Sequence, residues 1–164
     1  MSSARFSQTH GIVPLTVDGD WNNGFSTDSI NMAKWGHCTI IIIGDSSLDG
    51  NAVITVKGGL ADAEETASVT FTYRYAAGDC ASASSDVYGA AATSSSLTTT
   101  ATSMDSRATI IEFDAEDLNV SGVQYQYATL VVSDAGSAGT CDILAILSEP
   151  RYEAAVMPTA VPTS

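Results

Sequence analysis

Residues 67–75 alternate without a break: Ala67, Val69, Phe71, Tyr73 and Tyr75 are separated by Ser68, Thr70, Thr72 and Arg74. Successive side chains of a strand point to opposite faces, so this stretch reads as a strand with one dry face and one wet face. Ala52, Ile54 and Val56, set against Thr55 and Lys57, give a second strand of the same kind. Residues 39–43 and 143–147 are nearly continuous apolar runs. They read as central strands covered on both faces, or as strands whose outer face meets a partner. Residues 107–113 and 123–132 complete the set. In the last of these the apolar phase moves from Val123, Tyr125 and Tyr127 to Ala128, Leu130 and Val132, the signature of a β-bulge or a change of sheet.

Gly, Asp and Asn punctuate the intervals between these runs, notably at residues 44–51 and 134–140, where the reversals need their backbone angles. Short strands, turn signals and little helical periodicity predict an all-β chain: a single antiparallel β-sandwich with extended N- and C-terminal arms and at most one short helix. That helix is expected at residues 29–34 with Asp28 as its cap. The expected division is an arm over residues 1–25, the sandwich over 26–147, and a second arm over 148–164, where Pro158 and Pro162 favour extended backbone. Residues 81–103 are almost entirely Ala, Ser and Thr. A structureless loop of that length is uncommon, so a thin edge strand is expected around Leu97 to Thr102.

Composition narrows the function. The 164 residues carry six Lys+Arg against nineteen Asp+Glu, a formal charge of -13. Nucleic-acid binding needs clustered positive charge, and so does an anionic membrane surface; neither partner is expected. The polar stretch 1–11 has no apolar core of a secretory signal, and no apolar run approaches a membrane span, which predicts cytoplasmic synthesis. Cys38, Cys80 and Cys141 are odd in number and lack C-x-x-C spacing, which argues for reduced thiols and against a disulfide framework or zinc site.

Catalytic and metal constellations fare no better. His37 and Cys38 are adjacent, so on a strand they point apart and cannot act as a nucleophile pair. No G-x-S-x-G is present, and residues 57–59, Lys-Gly-Gly, have the wrong order for a phosphate loop. The run beginning Asp18-Gly19-Asp20 resembles a calcium loop but places Asn23 where glycine belongs and Ser29 where glutamate belongs. Glu112, Asp114, Glu116 and Asp117 read as a solvated acidic face. Neither an enzyme, a metal nor a cofactor is expected. Trp21, Phe25, Trp35, Arg151 and Tyr152 cluster in or beside the arms, and their residue types are those enriched at interface hot spots. They are the candidate partner-interface residues; the alternative is that they staple each arm to its own sandwich.

The segment Asp28-Ser29-Ile30-Asn31-Met32-Ala33-Lys34-Trp35-Gly36-His37-Cys38-Thr39-Ile40-Ile41 resembles a pattern in small tailed-phage virion proteins, where a short helix leads into a Trp-Gly-small-aliphatic strand start. Ile146-Leu147-Ser148-Glu149-Pro150-Arg151-Tyr152 is similar to the strand exit of the same proteins. The resemblance implies a capsid decoration, or cement, protein on the outer surface of the virion. It further implies the major capsid protein as partner and a dimeric or trimeric homo-oligomer. Two other readings stay open: a tail-tube, neck or fibre-associated virion protein, and a carbohydrate-binding module presenting Tyr73, Tyr75, Tyr125 and Tyr127.

Overall fold

A computed structural model describes residues 5–46, 48, 50–136, 138–151 and 160–161. In chain order the first strands are β1 (Gly11–Asp20), β2 (Phe25–Ser26), β3 (Ile30–Asn31), β4 (Trp35–Gly44), β5 (Val53–Gly59), β6 (Ala67–Val69) and β7 (Phe71–Tyr75). The remainder are β8 (Ala92–Ser94), β9 (Leu97–Thr98), β10 (Ala108–Asp114), β11 (Asn119–Val120), β12 (Val123–Gln124), β13 (Tyr127–Val132) and β14 (Thr140–Pro150). One six-stranded sheet runs β1-β14-β4-β10-β7-β8, and the facing sheet is built on β13 and β5, with β2 and β3 along β13 and with β6 and β9 along β5. Every pairing is antiparallel, so the all-β sandwich expected from the alternation is the architecture observed.

The core lies between the sheets. Cys38, Ile40 and Ile42 of β4, Ile111 and Phe113 of β10, and Ile143, Ala145 and Leu147 of β14 come from one side. Ile54 and Val56 of β5 and Ala128, Leu130 and Val132 of β13 come from the other. The alternating stretch 67–75 is two strands rather than one: Val69 ends β6 in one sheet and Phe71 starts β7 in the other, both buried. Alternation survives because both inner faces line the same core. The phase shift in 123–132 resolves likewise. β11 and β12 form a hairpin over Ser121 and Gly122, whose φ of 54° and 82° suit a tight two-residue reversal, and the chain then joins the β5-side sheet at Tyr127.

Three expectations need correction. Residues 11–20 are not an arm: β1 pairs with β14 from Gly11↔Leu147 to Asp20↔Thr140 and buries Val13 and Leu15. Pro14 and two register shifts obscure the alternation, and an edge strand tolerates both. The C-terminal boundary also moves, since β14 continues to Pro150; beyond it, the buried Ala160 accepts a hydrogen bond from Asn31 N at 2.8 Å. The helix expected at 29–34 is a 3-10 turn, Met32–Lys34, because Ile30 and Asn31 pair with β13 and Asn31, not Asp28, caps it through Ala33 N. Single helical turns also occur at Phe6–Thr9 and Ala101–Met104.

Buried hydroxyls stitch loops to the β5-side sheet. Ser29 Oγ lies 2.9 Å from Thr129 Oγ1 and accepts from Ala63 N at 2.9 Å. The Ala/Ser/Thr stretch places β8 on β7 and β9 on β5, so it crosses from one sheet edge to the other. Its return is held by Thr99, fully buried, whose Oγ1 accepts from Ala52 N at 3.1 Å and donates to Ala52 O at 3.2 Å. Thr99→Val keeps the shape and strands that buried amide, so it should lower stability by about 1–3 kcal/mol in urea unfolding.

Candidate partner-binding face

β4 is hydrogen-bonded on both sides, to β14 and to β10, and its side chains alternate between two environments. Cys38, Ile40 and Ile42 point into the core, while Thr39, Ile41 and Ile43 point out. The register aligns their outward neighbours. One row reads Pro14, Leu144, Ile41, Ile110 and Arg74 across β1, β14, β4, β10 and β7. The next reads Ile12, Ile146, Thr39, Glu112 and Thr72, and a shorter one Asp142, Ile43 and Ala108. An antiparallel sheet facing water ordinarily alternates apolar-in with polar-out. Here the middle of the outer face is aliphatic and part-exposed: Ile12 at 50 %, Ile43 at 44 %, with Ile41, Ile110, Leu144 and Ile146 half-buried.

Both ends of this face are acidic. At one end stand Asp18, Asp20 and Asp142, with Asp18 N donating to Asp142 Oδ1 at 3.0 Å. Asp45 lies beside them, its carboxylate accepting from Thr140 N and Oγ1 at 3.1 and 2.9 Å. At the other end, His37 Nδ1 lies 2.6 Å from Asp114 Oδ1, and Nε2 lies 3.8 Å from Glu112 and 3.2 Å from Thr39 Oγ1. Asp117 completes that end by accepting from Asp114 N at 2.8 Å. The pairing Asp114↔His37 brings these groups together across strands, which their separation in the sequence conceals. Hydroxyl, imidazole and carboxylate are here in line, the order a nucleophile, base and orienting group would take. β4 is central, so its own amides are taken up by β10 and β14.

Of the candidate aromatics, the two indoles are not a surface but staple their segments to the chain's own sandwich, the alternative reading. Trp21 and Trp35 are fully buried in the core, and Phe25 is half-buried against it. Arg151 is exposed, its amide donating to Lys34 O at 2.9 Å, and Tyr152 lies outside the described residues. The indoles are buried because Trp21 follows β1 directly, with Trp21 N donating to Gly139 O, and because Trp35 packs under Gly11, where a Cβ would sit 3.0 Å from the ring. The four tyrosines do not form a platform either. Tyr73 and Tyr75 stack edge-to-face beside Phe71 on the inner side of β7, Tyr125 is buried, and Tyr127 belongs to the other sheet. The aliphatic outer face was legible as a possibility in the runs 39–43 and 143–147; its width was not, because Ile12 and Ile110 join only through register.

Among the described residues no group of His, Cys, Asp or Glu side chains suits a metal ion, and no helix is long and apolar enough to cross a membrane. All three cysteines are free; Cys38 and Cys141 are buried and Cys80 is exposed. Burial pushes the Cys38 thiol far up, and burial, with Asp142 and Asp45 nearby, pushes Cys141 up to about 12. No protein-family model and no curated protein matches the sequence. Among solved structures, the crystal structure of the SPBc2 prophage-derived protein YomS matches with a TM-score of 0.51 at 11 % identity, over 85 % of this chain and 93 % of that one. The likeness is one of fold.

Two outcomes follow for the thiols and the indoles. Folded Cys38 and Cys141 stay protonated where the unfolded chain ionises, so their stabilising contribution is intact below about pH 8.5 and is lost as pH rises toward 12. Urea midpoints should therefore fall above about pH 9, less steeply in Cys38→Ala, and native protein should titrate one thiol per chain with a disulfide reagent. Trp21→Ala should cost about 3–5 kcal/mol in the same assay, because it empties a core site rather than a contact surface.

Proposed function

We propose that this chain is a structural virion protein, made in the host cytoplasm, that binds the outside of a phage head as a decoration protein. Its partner is the shell of major capsid protein. A protein that binds only the mature lattice raises the cost of taking that lattice apart, and many copies act together. The observation that carries this reading is the aliphatic outer face of the six-stranded sheet, where an antiparallel sheet facing water ordinarily places polar side chains. The fold likeness to a prophage-derived protein supports it. So does the charge of -13, which favours a site away from packaged nucleic acid. On this reading a dimer or trimer of the kind the resemblance implies must use other surfaces.

The test is co-sedimentation with expanded and unexpanded shells that lack the protein. The expected result is saturable binding to the expanded shell with a raised disruption temperature. Ile110→Glu and Ile146→Glu should abolish that binding while lowering monomer stability by only about 1–2 kcal/mol, because both side chains point out of the sheet and are half-buried among cross-strand neighbours. Binding to neither shell, with assembly into rings or tubes, would place the chain in the tail or neck instead.

A further inference from the structure

We infer that the occupant of the outer sheet face is a different protein whose contact surface has an apolar centre bordered by Lys or Arg, and not a second copy of this chain. The inference rests on reading this face as a docking surface, but not on which virion part supplies the partner. Its first support is size. Four strands about 4.8 Å apart, each with outward residues spaced about 7 Å, give an aliphatic centre of roughly 200 Å². A stable complex buries about 800 Å² per partner, so any durable contact must extend over the ends of the face. Those ends are Asp18, Asp20, Asp45 and Asp142 on one side and Glu112, Asp114 and Asp117 on the other. Arg74 borders the β7 side, and the imidazole of His37 is already engaged by two carboxylates.

The second support is symmetry. Two copies meeting face to face are related by a two-fold axis, and when their strands run aligned each end of one meets either the same or the opposite end of the other. Carboxylates outnumber cations at both ends, with Lys34 and Arg151 at the His37 end and Arg107, held by Asp79, at the other; with each copy at -13 in total, an aligned second copy brings net like charge to the contact. Like charges across an interface select against that pairing, whereas a basic border satisfies both ends at once.

A small cationic amphiphile reproduces the proposed chemistry, apolar tail with positive head, without knowledge of the partner. Full-length protein with labelled isoleucine methyls is titrated with octylammonium and, separately, with octyl sulfate at 50 mM salt, both below their micelle concentrations. The expected result is that the Ile41, Ile110 and Ile146 methyls shift at a roughly tenfold lower concentration of octylammonium, an advantage that shrinks in 0.5 M salt and disappears in Ile110→Glu. Equal response to the two amphiphiles, or a preference for octyl sulfate, would overturn the inference. So would sedimentation showing that wild type self-associates and that Ile110→Glu does not, since the face would then be taken by a second copy. Failure of shell binding in co-sedimentation sinks the decoration reading alone and leaves this titration to decide the partner's chemistry.

Discussion

The paired backbone of β4 is the constraint on which the rest of the molecule depends. With β14 on one side and β10 on the other, its amides and carbonyls are satisfied within the sheet, which is the condition for placing a strand at the centre of a core. Because pairing takes up the backbone, the side chains alone decide what each face does. Cys38, Ile40 and Ile42 close the sandwich, and Ile41 and Ile43, one residue out of phase, are delivered to the opposite surface. A register slip of one residue on β4 would exchange the two sets. Core and candidate docking face are therefore one specification seen from two sides.

The same pairing explains why the thiol and the imidazole at the start of β4 are chemically separate. Cys38 is turned into the core, where burial holds it as a thiol. His37 is turned outward, between carboxylates from β10. The amides of β4 itself are used up by the ladder. What the outer surface retains is shape and charge: an aliphatic centre with acidic ends. Such a surface is suited to selecting a partner by complementarity, with burial supplying affinity and charge deciding which partner is excluded.

Legibility in the sequence followed from how local each determinant was. The all-β class and the positions of most strands were readable, because period-2 alternation is a property of consecutive residues. The break at Thr70 was not, since alternation continues unchanged when a chain crosses between two sheets that share a core. Residue type and a place near the chain ends leave the indoles open to two readings, partner contacts or staples of each arm to its own sandwich. Both are core, because β1 closes the sheet edge and carries Trp21 inward with it.

Fold class, acid excess and the two faces of each strand are local properties, because side-chain alternation and charge are written residue by residue. Which faces became neighbours was settled by folding. The row Pro14, Leu144, Ile41, Ile110 and Arg74 draws on residues from both ends and the middle of the chain, and no window of sequence contains it. Cross-strand hydrogen bonds set that row, and they form between segments whose separation along the chain carries no record of their register.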